Sequence, residues 1–313
     1  MKVLVSEVGP RDGLQSIKRQ MATADKISWI RALAAAGVRE IEVGSFVHPK
    51  WLPQLADTPE IVAAALQIPG LHVVALAPNL HGARRAMESG AHAINIPIAA
   101  SQAHNMANVR MSCEESIEAL REICAARDAL PGPHRPTIEV GIASAFGCTR
   151  EGRVSEDWVM HMAAALAEAG ADAIGLSDSV GYANPAQVRR MFTRLIGEIG
   201  AERVGGAHLH NTRGQGLANA LAALDVGITT LDASQGGIGG CPYAPGATGN
   251  IVTEDLVFML EAMGVDTGIR MEGLLAARRI LADALPGEAL YGHVPDAGLP
   301  KGFTYADGEP MAA

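Results

Sequence analysis

Two histidines separated by one residue, His208 and His210, are the side chains in this sequence best suited to bind a metal ion together. They stand at the end of an apolar segment that is typical of a β-strand. Residues two apart on a strand point to the same side, whereas on a helix they would lie about 200° apart. The alternative is a pair of hydrogen-bonded histidines at a strand end, because motifs this short also arise by chance.

Arg11, Asp12 and Gly13 directly follow the first apolar segment of the chain. An Asp-Gly pair by itself indicates a turn. If Asp12 enters the same cleft as the two histidines, one carboxylate and two neutral imidazoles form a ligand set suited to a divalent cation. No cysteine stands beside them, which disfavours a closed structural zinc site. We therefore expect a catalytic ion with open positions, Mg²⁺ or Mn²⁺ before Zn²⁺.

A glycine-rich segment, residues 236–250, has six glycines in its first fourteen residues and one cysteine, Cys241. Segments of this composition cradle ligands or close over sites as lids, since ordering them is costly. The segment lacks the Gly-Lys-Ser/Thr ending of a phosphate-binding loop and the glycine pattern of a dinucleotide site. Cys241 is either a small buried apolar side chain or a reactive thiol beside the cleft.

Two more carboxylates, Glu42 and Asp178, also lie at the ends of apolar segments. Each could act in catalysis directly. Each could instead pair with Arg11 or accept a hydrogen bond from a loop, because structural networks also place charges in clefts. The Gly-x-Ser-x-Gly pattern of serine hydrolases and the His-Glu-x-x-His pattern of zinc proteases do not occur.

The elements that must position these side chains follow a repeated pattern. Four times, an alanine-rich helical segment ends at a glycine, and a short apolar strand begins within a few residues; the glycines are Gly37, Gly90, Gly170 and Gly227. Glycine is the residue that ends a helix in the left-handed conformation, and short helix-to-strand connections are common in α/β proteins. The repeat predicts strand–helix units in series.

Completing the pattern predicts eight strands, at residues 3–8, 40–45, 72–77, 93–97, 137–142, 173–177, 203–208 and 229–233. Predicted helices between and after them include 26–36, 114–129, 157–169, 185–199, 217–226 and 270–284. Eight such units within about 260 residues match an α/β protein of the (β/α)8 TIM-barrel class. A doubly wound sheet is the alternative, but no dinucleotide-binding fingerprint follows the first strand.

The predicted barrel covers residues 1–268, and residues 269–313 form a short C-terminal helical extension and tail packed on it. In such barrels the reacting groups lie where strands end and the following loops begin. The polar residues at these ends are therefore expected to converge on one face; they are Arg11, Asp12, Glu42, Ser45, Asn79, Ser101, Asp178, His208 and His210.

Composition narrows the classes of partner. The 313 residues are 48% hydrophobic and 19% charged with a net charge of −9, which favours a folded protein and disfavours binding to nucleic acid or to an anionic membrane. No secretion signal and no uninterrupted membrane span is evident. The four cysteines form no Cys-x-x-Cys pair, which indicates a reducing, cytoplasmic setting. A small metabolite is the expected partner.

Several motifs together resemble those of the 3-hydroxy-3-methylglutaryl-CoA lyase family, metal-dependent lyases with a TIM barrel. The resemblance runs from about residue 3 to 268 and is carried by Glu7-Val-Gly-Pro-Arg-Asp-Gly-Leu-Gln15, Ser45-Phe-Val-His-Pro-Lys-Trp51, Gly239-Gly-Cys-Pro-Tyr243 and Gly249-Asn-Ile-Val-Thr-Glu-Asp-Leu256. It implies cleavage of 3-hydroxy-3-methylglutaryl-CoA (HMG-CoA) to acetyl-CoA and acetoacetate, a step of leucine degradation. It also implies an acyl-CoA substrate and a homodimer.

The resemblance assigns roles to residues that match the family motifs. Arg11 is similar to the carbonyl-binding arginine, Cys241 to the cysteine implicated in proton transfer, and Lys18 to a lysine near CoA. Glu42 and Asp178 are similar to acidic residues that support catalysis. The implied metal ligands are Asp12, His208, His210 and Asn250.

Three residues depart from the family pattern and leave the substrate open. Asn211 stands where the family has aspartate, and Gln102 and His104 stand where it has glutamate and phenylalanine. A citramalyl-CoA lyase, which gives pyruvate, would use nearly the same groups, since one methylene is worth only about 1–3 kcal/mol in a binding pocket. A Claisen-condensing synthase would share the barrel and metal site, and a non-catalytic CoA binder could keep the same fold.

Overall fold

A closed barrel of parallel strands forms the centre of the molecule. The computed structural model describes residues 1–239 and 249–310. Within them the strands are β1 (Leu4–Glu7), β2 (Glu40–Ser45), β3 (His72–Leu76), β4 (Ala93–Asn95), β5 (Ile98–Ala99), β6 (Thr137–Ala143), β7 (Ala173–Asp178), β8 (Val204–Leu209) and β9 (Thr230–Ala233). Their order is β4-β3-β2-β1-β9-β8-β7-β6-β5, and pairing of β4 with β6 closes the barrel. The TIM-barrel prediction is confirmed.

Strands β4 and β5 are two halves of the fourth barrel strand. The sequence predicts one strand over residues 93–97, but the strand is interrupted at Ile96 and Pro97. Proline has no N–H to donate to a ladder, whereas Ile96 N still donates to Glu139 O at 2.8 Å. Both halves pair with β6, so the nine segments form an eight-stranded barrel.

Helices surround this barrel. They are α1 (Thr23–Ala35), α2 (Thr58–Ala65), α3 (Leu80–Ser89), α4 (Gln102–Val109), α5 (Cys113–Asp128), α6 (Glu156–Glu168), α7 (Pro185–Ile199), α8 (Gly216–Leu224), α9 (Thr253–Ala262), α10 (Met271–Ala284) and α11 (Val294–Ala297). No helix within the described ranges is both long and apolar enough to cross a membrane.

Two segments outside the repeat are informative. The segment after the fourth barrel strand forms α4, whose first turn is capped by Ser101 Oγ accepting from His104 N. Near the C-terminus, α10 packs on α1. Gly273 of α10 lies so close to α1 that a Cβ at residue 273 would be 2.9 Å from the Cα of Ala36. The division of the chain at residue 268 stays a prediction.

The four glycines of the repeat all have left-handed backbone conformations, as the sequence predicts. Their φ angles are 110° at Gly37, 80° at Gly90, 106° at Gly170 and 94° at Gly227. A side chain at such a position costs about 1–2 kcal/mol. Each glycine therefore stops a helix and turns the chain back to the barrel.

Gly37→Ala is expected to destabilise the protein more than Gly227→Ala does. A Cβ at residue 37 would lie 2.1 Å from Gly268 O, whereas a Cβ at residue 227 would have no atom within 4 Å. We expect Gly227→Ala to cost about 1–2 kcal/mol of unfolding free energy and Gly37→Ala at least about 3 kcal/mol. Denaturant unfolding of both variants measures the difference, and equal costs would contradict the close approach of residues 37 and 268.

Candidate active site

The loop after β1 brings Arg11 and Asp12 over the end of the barrel. Residues Gly9–Gly13 form a single π-helical turn, in which the N–H groups of Arg11, Asp12 and Gly13 all point to Val8 O, at 3.1, 2.7 and 3.3 Å. Both side chains are nearly buried, with 7% of Arg11 and 8% of Asp12 exposed. This turn fixes their direction before any ligand is bound.

Asp12, His208 and His210 form one cluster, as the sequence predicts. One ligand atom from each lies within 4.8 Å of the others. The two histidine Nε2 atoms are 3.2 Å apart, and His210 Nε2 is 4.0 Å from Asp12 Oδ2. Two imidazole nitrogens and a carboxylate oxygen that converge in this way are suited to share a divalent cation.

Two of the three groups in the cluster favour the protonation state that binds a cation. Burial tends to raise the pKa of Asp12, but Arg11 and the two histidines outweigh it and hold that pKa below its usual value. Burial, with the neighbouring His208, lowers the pKa of His210 to about 4. At neutral pH Asp12 is therefore an ionised carboxylate and His210 a neutral imidazole, the forms that bind metals. Burial lowers the pKa of His208, but Asp232 and Asp12 outweigh it and raise that pKa, so a bound cation would have to displace a proton from this ring.

Asp232 orients His208 and was not among the residues singled out from the sequence. Its Oδ2 lies 3.0 Å from His208 Nδ1, so the ring proton is held on Nδ1 and the lone pair of Nε2 faces His210. Metal-binding histidines commonly have such a carboxylate behind them. The sequence signal that could have revealed Asp232 is its position: it is an acidic residue on the last predicted strand, shortly after Gly227.

Asp232→Asn is expected to weaken metal binding about 10- to 100-fold, since the asparagine amide no longer selects the required tautomer of His208. Asp225→Asn, on an exposed ion pair of the outer surface with Arg189, serves as the matched control. Titration of the metal-free proteins with Mn²⁺ measures both affinities. Equal affinities for the two variants would remove Asp232 from the site.

Asn250 adds a fourth polar side chain to the cluster, beside Asp12. Its Nδ2 donates to Asp12 Oδ2 at 2.7 Å, and its buried Oδ1 has no hydrogen-bond partner among the described residues. Gly239 passes so close that a Cβ there would lie 2.8 Å from Asn250 Nδ2. A cation is a partner that an unpaired amide oxygen can take, so the four predicted ligands fit a metal that prefers oxygen and nitrogen.

Arg11 is held rigidly beside this cluster by two carboxylates. Its Nε donates to Glu42 Oε2 at 2.5 Å and its Nη1 to Asp12 Oδ1 at 2.6 Å. Burial lowers the pKa of Arg11, but Glu42 and Asp12 outweigh it, so the guanidinium stays charged. Its Nη2 has no partner within the described part of the chain and is free to bind a ligand oxygen.

Glu42 therefore forms the ion pair with Arg11 that the sequence left as one of two possibilities. Its other oxygen accepts from Asn95 Nδ2 at 3.1 Å, and only 2% of the residue is exposed. Asn95 ends β4 and was missed from the sequence, because a single asparagine in an apolar segment carries no signal of its own. The contacts with Arg11 and Asn95 hold the Glu42 carboxylate in place, and this carboxylate in turn orients Arg11.

Asp178 and Lys18, two further predicted residues, lie outside this cluster. Asp178 is fully buried, and its oxygens accept from Tyr182 N at 2.8 Å and Ala183 N at 2.9 Å, so it shapes the turn after β7. Lys18 is exposed. Cys241 lies outside the described residues. The catalytic or CoA-binding roles of these three residues stay predictions.

A buried carboxylate, Glu7, ties together the two loops that carry the ligands. Oε1 accepts from Gly9 N at 2.8 Å and from Gln235 N at 2.9 Å, and Oε2 accepts from Thr253 Oγ1 at 2.7 Å. These partners begin the turn of Asp12 and flank the segment of Asn250. Glu7 thus acts as a positioning residue that sequence patterns did not reveal.

The cluster opens into a cavity of about 1300 Å³ that is lined by Arg11, Asp12, Glu42, His208 and His210, among others. The HMGL-like family model matches residues 2–281, most of the chain and the whole barrel. The chain belongs to the HMGL-like family.

Relatives of the chain within this family are lyases by name. The hydroxymethylglutaryl-CoA lyase YngG of Bacillus subtilis is 40% identical over 284 residues, 91% of this chain and 93% of its own. A Pseudomonas aeruginosa enzyme named 3-hydroxy-3-isohexenylglutaryl-CoA/hydroxymethylglutaryl-CoA lyase is 41% identical over 283 residues, 90% of this chain and 92% of its own.

A solved structure extends the similarity to three dimensions. The HMG-CoA lyase of Acinetobacter baumannii, in complex with coenzyme A and 3-methylmalate, superposes with a TM-score of 0.88 at 40% identity. The match covers 95% of each chain. Membership of the HMGL-like family therefore rests on sequence and fold alike.

Proposed function

We propose that this HMGL-like protein is a metal-dependent carbon–carbon lyase that cleaves HMG-CoA to acetyl-CoA and acetoacetate. The observation that carries the proposal is the placement of the charged Arg11 against the Asp12, His208 and His210 cluster in the large cavity. Two relatives named as HMG-CoA lyases support the substrate. A family structure in complex with coenzyme A supports an acyl-CoA thioester as its carrier.

A divalent cation, Mg²⁺ or Mn²⁺ before Zn²⁺, would be held by Asp12, His208, His210 and the amide oxygen of Asn250. When bound, it would lower the pKa of the substrate's tertiary hydroxyl, as metals do for water. Asp232 keeps His208 in the tautomer that this binding needs, and Glu7 keeps both contributing loops in place.

The cleavage moves two pairs of electrons. The hydroxyl proton passes to a base in the cavity and the O–H pair becomes the C=O bond of the acetoacetate ketone, while the C2–C3 bond breaks and its pair forms an enolate on the acetyl thioester. The proton released here is balanced by the one that the enolate carbon later gains. Arg11 would stabilise the developing negative charge on the thioester oxygen through Nη2. Glu42 holds the guanidinium in position at the moment of reaction, so no reorganisation is required.

The enolate carbon must finally gain a proton. We assign this step to Cys241, on the glycine-rich segment, and supporting catalytic roles to Glu42 and Asp178. Lys18 would contact CoA. These assignments, together with a homodimer, a cytoplasmic location and a place in leucine degradation, come from the family resemblance.

A paired assay tests the proposal. The purified protein is supplied with Mg²⁺ or Mn²⁺ and offered HMG-CoA or citramalyl-CoA separately, with products identified by mass spectrometry. We expect acetoacetate from HMG-CoA and no product in the presence of EDTA. Pyruvate from citramalyl-CoA alone would keep the mechanism and change the substrate, and the absence of any product would contradict the lyase assignment.

A further inference from the structure

Both ends of the glycine-rich segment, residues 236–250, contact the chain that follows α10. We call the contacting stretch, residues 290–294, the C-terminal strap. It lies beyond residue 281, where the match to the HMGL-like family model ends. The glycine-rich segment ends at the proposed metal ligand Asn250. The strap is therefore placed to support the chain that brings this ligand to the cavity.

At the start of the glycine-rich segment the strap bonds to Gly236. Tyr291 N donates to Gly236 O at 2.7 Å, and Leu290 lies so close that a Cβ at residue 236 would be 3.0 Å from its Cδ2. Gly236 and Gly237 have φ angles of 66° and 63°, so the chain turns here in a conformation that favours glycine. The strap holds this turn in place.

An ion pair extends this contact into a closed ring of hydrogen bonds. Arg278 of α10 donates from one nitrogen, Nη1, to Tyr291 O and to Glu254 Oε1, both at 2.9 Å. The other oxygen of Glu254, Oε2, accepts from Gly236 N at 3.1 Å. Glu254 is fully buried; burial raises its pKa, and Arg278 opposes that rise. Both backbone groups of Gly236 are thus bonded, one to the strap and one to α9.

At the other end of the glycine-rich segment the strap holds the first turn of α9. Asp255 accepts from His293 N at 2.9 Å and from Val294 N at 2.8 Å. Asn250 precedes Asp255 by five residues in the sequence. This contact therefore fixes the start of the helix that follows the proposed ligand.

The two anchored ends meet at the candidate metal cluster. A Cβ at Gly249 would lie 2.5 Å from Gly237 O, and a Cβ at Gly239 would lie 2.8 Å from Asn250 Nδ2. The two stretches of backbone are thus in direct contact, with no space for a side chain between them. Asn250 Nδ2 in turn donates to Asp12 Oδ2 at 2.7 Å. A shift of either end would therefore move Asn250 relative to Asp12.

We propose that the C-terminal strap supports the active site, and that Arg278 and the N–H group of Tyr291 position the metal ligand Asn250. Neither residue lines the cavity, so both act through the backbone that they hold and not through contact with substrate. The inference rests on the proposed function, because it concerns the cation that the lyase reaction needs. It makes metal affinity depend on a part of the chain outside the barrel.

Two substitutions at residue 291 test the contact with Gly236. Tyr291→Pro removes the N–H group, because proline has none. Tyr291→Ala keeps that group and removes only a half-exposed side chain. Mn²⁺ is titrated into each metal-free protein, and Tyr291→Pro should bind it at least fivefold more weakly than Tyr291→Ala does.

Amide hydrogen exchange of the metal-free proteins gives a readout that does not depend on the cation. In Tyr291→Pro, exchange should be at least tenfold faster in peptides that cover residues 234–239 and 249–253 than in the same peptides of Tyr291→Ala. A peptide from β6 serves as the reference for global unfolding, and its exchange should be equal in the two variants.

Substitutions of Arg278 test the rest of the ring of hydrogen bonds. Arg278→Met should weaken Mn²⁺ binding at least fivefold, but it also leaves Glu254 buried without its counter-charge. The double variant Arg278→Met/Glu254→Gln buries no charge, so it should melt at a higher temperature than Arg278→Met and still bind Mn²⁺ weakly. Arg278→Lys should restore most of the affinity, because both bonds come from one nitrogen. Arg279→Met, at an exposed position of the same helix, should match the wild type.

The outcomes distinguish this inference from the proposed function. If the wild type cleaves HMG-CoA but Tyr291→Pro and Arg278→Met keep its Mn²⁺ affinity, the strap does not position Asn250 and the lyase assignment stands. If these variants lose affinity while the wild type cleaves no thioester, the strap keeps its role and the lyase assignment fails. Equally faster exchange in β6 would mean general destabilisation and would overturn the inference.

Discussion

Replacing Arg11 by glutamine is expected to lower kcat for HMG-CoA cleavage by about 100- to 1,000-fold while the protein still binds its metal. Removal of one preorganised group that stabilises transition-state charge typically has this effect. Arg11 meets the requirement because Glu42 and Asp12 fix Nε and Nη1 at 2.5 and 2.6 Å before the substrate binds. The neutral glutamine amide cannot replace a permanent cation.

The experiment must separate lost chemistry from lost structure, because the substitution leaves Glu42 buried without its counter-charge. Mn²⁺ content and melting temperature are therefore measured beside kcat. Arg11→Lys keeps the positive charge but loses the planar guanidinium, and we expect its kcat to lie between those of the wild type and Arg11→Gln. Arg84→Gln, at an exposed position of α3, is the control. Retention of one-tenth of wild-type activity by Arg11→Gln would contradict the assigned role.

His210→Ala is expected to remove stoichiometric metal and to lower activity at least about 1,000-fold at the Mn²⁺ concentration that saturates the wild type. The variant loses one of the four proposed ligands. Neither Asp12 nor His208 is expected to replace it, because Asp12 is bonded to Arg11 and Asn250 and His208 to Asp232. Metal analysis of the dialysed protein gives the first result and the HMG-CoA assay the second.

His134→Ala is the matched control, since this histidine is exposed on a short turn before β6. It should keep both metal and activity. If raising Mn²⁺ restores part of the His210→Ala activity, the loss lies in metal affinity, as expected for a ligand. Full activity without bound metal would overturn the metal-dependent mechanism.

Local sequence patterns predicted the strands and helices and most of the proposed metal ligands. Gly37, Gly90, Gly170 and Gly227 marked the ends of helices because left-handed backbone is a local requirement that glycine satisfies at low cost. The two-residue spacing of His208 and His210 predicted one shared face because alternation along a strand is also local. Once eight strand–helix units were predicted, Asp12 was expected near the two histidines, because the reacting groups of such barrels lie at the ends of the strands. Asn250 and the role of Arg11 came from motif resemblance.

Only the tertiary structure identified the side chains that support these ligands. Asp232 reaches His208 from a different strand, and Glu7 reaches Thr253 across 246 residues of sequence. Such contacts depend on the register and closure of the barrel, which no local pattern encodes.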